Sequence, residues 1–199
     1  MKILLVAPPG TGKSTILDKV FRALQGPKFG IIAHQILDHT GKHTGFTASN
    51  ATGQSRQFMH LTDKATESTI GDEFDVDIEA IDQFIVPELQ KGLAAAGSGT
   101  IVFIDEIGRA QARSPKFIEV LTELFDSQCD VLGSIACEDE DWSLIFKYHP
   151  TVSLLHVTED NLDELPGILI EAASQRHLDS SSQIQALSHL GPLQMLHET

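Results

Sequence analysis

Apolar positions along this chain fall into two patterns, short unbroken runs and longer stretches in which they recur every three or four residues. The first pattern suits strands buried on both faces, and the second suits helices packed along one side. Residues 3–6 form the opening run and empty into a Pro/Gly turn at residues 8–12. Ile16, Leu17, Val20, Phe21 and Leu24 then line one helical face, which Gln25, Gly26 and Pro27 stop. Residues 30–37 read as a second strand and 38–42 as a turn, while 44–49 and 56–61 flank Gly53 as a β-hairpin. After a polar stretch at 62–77, Ile78, Ile81, Phe84, Ile85 and Leu89 predict a helix that ends at Ala96, before Gly97 and Gly99. Residues 101–104 are again an unbroken apolar run, expected in a central parallel strand. A helix at 117–125, a strand at 131–135, a short helix at 142–148, a strand at 152–157 and a helix at 162–173 complete the pattern. This alternation predicts an α/β fold with a central, mostly parallel sheet, helices on both faces and a β-hairpin insertion.

Residues 174–199 depart from it. They open on a Ser/Gln/His-rich segment, and Ile184, Leu187, Leu190 and Leu193 are too few to build a core. The expected organisation is therefore one domain over 1–173 and a C-terminal tail over 174–199 that forms a short surface helix or a partly mobile segment. An amphipathic helix that binds a protein partner is the alternative for the tail.

Chemistry enters at the two places where a strand ends. The segment Pro8, Pro9, Gly10, Thr11, Gly12, Lys13, Ser14, Thr15 has the strand, tight loop and helix start of a phosphate-binding P-loop. Gly10 and Gly12 let the backbone curl so that its N–H groups converge on a phosphate, and the helix that follows adds its dipole. Lys13 is placed to reach the β- and γ-phosphates and Ser14 to hold Mg²⁺. Ala7 stands where the common pattern has glycine. Asp105 and Glu106 end the 101–104 run, at the carboxyl edge where ligands bind in open α/β sheets. Asp105 suits the hydrated shell of Mg²⁺ and Glu106 suits orienting or deprotonating an attacking water. The competing readings are a strand-end cap for Asp105 and a salt-bridged surface carboxylate for Glu106. Phosphoryl transfer also needs cations on the transferring group, for which Arg109, Arg113 and Arg56 are candidates. Ser134, closing its own strand, is a candidate for contact with the lytic water or the γ-phosphate.

Composition narrows the partners. With 28 acidic against 14 basic side chains the formal charge is −14, and the arginines are scattered, so nucleic acid is not expected as a partner. Cys129 and Cys137 lack metal-ligand spacing and fit a reducing compartment. The nine histidines form no metal-binding motif, His39 and His43 being assigned to a polar turn and His189 and His197 to the tail. The opening strand runs straight into the loop without a leader-type pattern, and no apolar run has the length of a membrane span. The expectation is a cytoplasmic protein, not bound to membrane, monomeric in the absence of heptads or an apolar stripe.

Taken together, APPGTGKST at 7–15, HTGF at 43–46, IGDEFDV at 70–76, Pro87, IVFIDEIGR at 101–109, SPKF at 114–117 and LLHVTEDN at 154–161 carry a resemblance. Over residues 1–173 the chain resembles the small nucleoside-triphosphatase family first described from thermophiles, which includes the human cancer-related nucleoside-triphosphatase. The resemblance implies a RecA/AAA-like sheet and slow, broad-specificity hydrolysis of ATP, GTP and other nucleoside triphosphates with Mg²⁺. It implies phosphate binding by Lys13, Mg²⁺ binding by Ser14 and Asp105, water activation by Glu106 and a place near the nucleotide for Asn161. Arg109 keeps a positive charge that the family carries there. The chain departs from the family at residues 34–37, where an arginine is missing, at Gln111, where a carboxylate is missing, and at Leu162, where an arginine usually stands. These departures motivate a second reading, a nucleotide-binding switch or scaffold with little turnover. A nucleotide or small-molecule kinase is the third, although the chain offers few arginines for a lid.

Overall fold

The computed structural model describes residues 1–62, 69–70, 74–95 and 100–176. Among the described residues nine strands form one sheet, ordered β5-β6-β4-β3-β2-β7-β8-β1-β9. The strands are β1 (Lys2–Val6), β2 (Lys28–Leu37), β3 (His43–Ser49), β4 (Ser55–Leu61), β5 (Thr69–Ile70), β6 (Phe74–Val76), β7 (Ile101–Ile107), β8 (Asp130–Ile135) and β9 (Ser153–His156). Pairings among β2, β7, β8, β1 and β9 are all parallel. Those among β2, β3, β4, β6 and β5 are antiparallel, so the expected hairpin extends the sheet beyond β2.

Alternation along the parallel strands sorts the core into two layers. Ile3 and Leu5 of β1 and Phe103 of β7 point to one face, where Ile16, Leu17 and Val20 of α1 (Lys13–Ala23) and Leu165 and Leu169 of α6 (Leu165–Arg176) cover them. Leu4 and Val6, with Val102 and Ile104, point to the other. There they meet Val86 and Leu89 of α3 (Val86–Ala94) and Phe117, Leu121 and Leu124 of α4 (Pro115–Asp126). The contact between β2 and β7 depends on Gly30. Its φ is +89°, and a Cβ there would lie 1.9 Å from the Phe103 carbonyl oxygen, an overlap that no side chain can relieve.

Several boundaries differ from the sequence expectation. The polar stretch 62–77 contains β5 and β6, held by pairing of β6 to β4 and of β5 to β6 rather than by a hydrophobic period. The helix expected from Ile78 begins as α2 (Ile78–Ala80), passes through one π turn (Ile81–Ile85) and continues as α3. It ends at Ala94, and Ala96 lies outside the described residues. His43 is not a turn residue but the first residue of β3, its ring set edge-on to Phe46 with centroids 4.4 Å apart. The closing helix starts at Leu165 rather than 162, because Pro166 fits the first helical turn and the preceding residues form a separate side-chain-bonded turn. The short helix α5 (Asp141–Lys147) is as expected, with a Glu140/Ser143 capping box at its start. The tail assigned to 174–199 lies outside the described residues from 177 onward.

One polar contact locks the π turn to α4. Ser114 accepts from the Phe117 amide at 3.1 Å as the α4 cap, and its hydroxyl donates to Asp82 of the π turn. Lys116 adds an ion pair to Asp82 at 3.0 Å. The Ser114 hydroxyl, followed by Lys116, holds the Asp82 carboxyl below its usual range despite partial burial. Ser114→Ala removes a cap and a charge-assisted bond together, with an expected loss of about 1–3 kcal/mol at neutral pH. Because the native carboxyl titrates lower than the unfolded one, its contribution is present above the ordinary carboxylate range and fades as pH falls through the depressed native value. Urea denaturation of both proteins should therefore show a gap at pH 7 that narrows in acid; a gap that widens in acid would assign the loss to another contact.

Candidate active site

The loop between β1 and α1 has the conformation that its glycines permit. Gly10 and Gly12 adopt φ of +81° and +102°, and Gly12 caps α1 in the left-handed region, its carbonyl accepting from Ile16 N at 3.0 Å. Thr11 closes the loop from outside, its hydroxyl donating to the Pro8 carbonyl at 2.7 Å. Lys13 is buried, and its ammonium donates to the carbonyls of Ala7 at 2.8 Å and Pro8 at 3.3 Å. The first residue of α1 therefore holds a cation against the backbone carbonyls at the start of the loop, the arrangement that a P-loop requires.

Asp105 brings the second motif to the first. Its carboxylate has no solvent exposure, and its Oδ1 accepts from Ser14 Oγ at 3.1 Å and from Ser134 Oγ at 2.8 Å. Its Oδ2 accepts from the Ala33 amide at 3.3 Å. Burial pushes the Asp105 carboxyl above its usual value, and the Ser134, Ser14 and Ala33 donors and the Lys13 charge pull it back. Glu106, joined to Asp105 by a cis peptide, is less buried than Asp105. Burial also raises its carboxyl; Lys13 opposes the rise, and the neighbouring Asp105 and Glu138 charges reinforce it. Lys13, Ser14, Asp105 and Glu106 thus form one electrostatic unit at the carboxyl ends of β1 and β7, with β8 between those strands.

Among the described residues no group of three or more His, Cys, Asp or Glu side chains could hold a metal ion. A hydroxyl and one carboxylate, 3.1 Å apart in hard oxygen donors, still fit Mg²⁺, which completes its octahedron with waters and substrate phosphates rather than a protein cage.

The remaining candidates lie around this centre. Arg109 is exposed and ion-paired with Glu140, whose other carboxylate oxygen accepts from Trp142 Nε1 at 2.8 Å. Arg56 on β4 and Arg113 are also on the surface. Asn161 shapes the turn after β9: its Oδ1 accepts from Thr158 N and its Nδ2 donates to the His156 carbonyl, both at 2.9 Å. This turn reaches the loop through Leu162, whose Cδ1 would stand 3.0 Å from a Cβ on Gly12. Ser134, considered for water or γ-phosphate, donates to Asp105. The Ala33 contact escaped the sequence reading because a backbone amide has no side-chain signature. Lys147 escaped it too: buried on α5, it donates to the carbonyls of Cys137 and Glu138 at 3.0 and 2.9 Å and fixes the turn carrying Glu138. Both cysteines are free.

A P-loop on a parallel sheet, with an Asp-Glu pair one strand removed, defines a nucleoside-triphosphate-binding α/β protein. A family model described as NTPase matches residues 2–170, and the chain belongs to that family of nucleoside-triphosphatases. It is 28% identical over 165 residues to the nucleoside-triphosphatase THEP1 of Thermotoga sp. (strain RQ2), covering 83% of this chain and 91% of that protein. It is 27% identical over 187 residues to the cancer-related nucleoside-triphosphatase homolog of Mus musculus, covering 87% and 97%. In three dimensions it is similar to the crystal structure of THEP1 from Aquifex aeolicus, with a TM-score of 0.78 at 22% identity over 86% of this chain and 98% of that one. The solution structure of a human cancer-related nucleoside triphosphatase gives a TM-score of 0.74 at 20% identity over 87% and 97%, and at these identities both likenesses speak to the fold. Among the described residues no helix is long and apolar enough to cross a membrane.

Ser134→Ala deletes one of the three donors on a buried carboxylate and should cost about 1.5–3 kcal/mol of stability. Chemical denaturation measures it, and a wild-type midpoint would show that the Ser134 bond contributes nothing.

Proposed function

We propose that this nucleoside-triphosphatase hydrolyses nucleoside 5′-triphosphates, ATP and GTP among them, to the diphosphate and phosphate with Mg²⁺, slowly and with broad base specificity. One observation carries the reading: Ser14 and Asp105 share a hydrogen bond beside the buried Lys13, and Glu106 follows Asp105 directly. The residues of the loop, Pro8 to Thr15, wrap the phosphate chain with backbone N–H groups, and Lys13 leaves its two carbonyls for the β- and γ-phosphates. Ser14 and Asp105 hold Mg²⁺, which when bound neutralises charge on the phosphate oxygens. Glu106 orients the attacking water and takes its proton, a role favoured by the raised carboxyl.

The same geometry supports the reading of broad base specificity. The catalytic pair lies on the β7 side of the loop, so the nucleoside extends toward β9 and the Asn161 turn. The Asn161 amide is spent on its own turn at both ends, and Leu162 presents only methyl groups to the loop. Asn161 therefore acts on the nucleotide by shaping this wall. Arg109 supports the γ-phosphate only after leaving Glu140. That pairing favours the second reading, a nucleotide-binding protein with little turnover until a partner releases the arginine. Residues 1–173 are proposed as the catalytic domain of a cytoplasmic monomer, with the tail as the candidate protein-binding segment.

Phosphate release from ATP, GTP, CTP and UTP, with and without Mg²⁺, tests the proposal. Lys13→Ala should lose turnover by about 10²-fold or more, and Glu106→Gln by about 10²–10⁴-fold while still binding nucleotide. Normal turnover in Glu106→Gln would remove the assigned base, and binding without turnover in the unaltered protein would favour the second reading.

A further inference from the structure

Gln111 stands in the short 3₁₀ turn Gln111–Arg113 that follows β7, and the residue is only 4% exposed. Among the described residues no donor or acceptor pairs with its amide. A buried amide left without a partner is costly, about 1–3 kcal/mol, and native interiors seldom tolerate one without a reason. Its position supplies the reason. An ideal Cβ built on Gly108 would lie 3.3 Å from Gln111 Oε1, 3.7 Å from Glu106 Cγ and 3.8 Å from the Glu106 carboxyl carbon. The amide and the carboxyl therefore flank the same face of Gly108, and the glycine keeps the space between them free of a side chain. Ala110 is the residue before this turn and is itself buried, so the chain carries Gln111 inward rather than toward solvent.

The geometry points to Gln111 as a further catalytic residue that, with Glu106, holds the attacking water. This inference rests on the hydrolytic reading above. Among the charges around Glu106, Asp105 and Glu138 are negative and only Lys13 is positive. A neutral amide can hold a water there without adding a third like charge to the Glu106 carboxylate. A half-turn of the amide presents either Nε2 as donor or Oε1 as acceptor, so it can orient either the lone pairs or a proton of the water. The water oxygen bonds to the γ-phosphorus as the bond from that phosphorus to the β–γ bridging oxygen breaks. The electron pair of the broken bond leaves with the nucleoside diphosphate, and one water proton passes to Glu106 and from there to solvent. Triphosphate and water become diphosphate, phosphate and a proton, and Gln111 is unchanged.

The test compares Gln111→Leu and Gln111→Met, which keep the volume and remove the polar amide, with the unaltered protein and Glu106→Gln. Three quantities are measured: kcat and KM for ATP with Mg²⁺, the Kd of a non-hydrolysable ATP analogue, and the thermal midpoint. The expected result is a kcat about 10–100-fold lower in both variants, with KM and Kd within about twofold and a thermal midpoint equal to or above the unaltered protein, since an unpaired buried amide has been replaced by an apolar group. Unchanged kcat in both variants would overturn the inference, as would a loss of kcat that is matched by a loss of analogue binding or of the thermal midpoint. Failure of the hydrolytic reading has a different signature, because the unaltered protein would then bind the analogue without releasing phosphate from ATP, whatever the Gln111 variants do.

Discussion

A carboxylate with no access to water sits at the end of the central parallel strand, and the site is organised around the groups that make its burial tolerable. Asp105 on β7 receives hydrogen bonds from Ser14 at the start of α1, Ser134 on β8 and the backbone of Ala33 on β2. An unpaired charge in such a place would cost several kcal/mol, so each of these three elements is constrained to approach it. The P-loop is thereby fixed against strands β2, β7 and β8. The distance between Ser14 and Asp105, on which the proposed Mg²⁺ site depends, is set by these contacts of the fold.

The same constraint explains why the two strongest motifs were readable. A P-loop needs its glycines and Lys13 in one contiguous segment, and an Asp-Glu pair at a strand end is contiguous too. Parallel strands buried on both faces write unbroken apolar runs, so β1, β7 and β8 were legible with their helices. Contacts that join distant segments left no such trace. Ser134 could be picked out as a strand-end hydroxyl, but its partner depended on β8 lying between β1 and β7, which periodicity does not encode. Ala33 contributes an amide, and Gln111 reads as an ordinary polar residue until its burial is seen. The π turn at Ile81–Ile85 keeps an apolar face much like an α-helix, and β5 and β6 are too short to show alternation.

Residues that depart from the family pattern fall in unlike surroundings. Leu37 is 57% exposed at the far end of β2, remote in the strand from the Ala33 amide that meets Asp105, so an absent arginine there alters the rim. Leu162 lies against Gly12 and touches the loop itself. Gln111 lies near Glu106, both within 4 Å of a Cβ built on Gly108. Arg109, the cation nearest in sequence to Asp105 and Glu106, is committed on the exposed rim to Glu140, whose other carboxylate oxygen accepts from Trp142. The loop and the Ser14 and Asp105 oxygens are thus intact while the cationic rim is thinned.

The central claim is that water, activated beside Asp105 and Glu106, is the sole acceptor of the γ-phosphoryl group. Turnover of ATP in ¹⁸O-enriched water, followed by mass analysis of both products, tests it most directly. The account predicts one ¹⁸O atom in the released phosphate and none in the ADP. Label in the ADP, release of pyrophosphate, or ADP formed without free phosphate would contradict it.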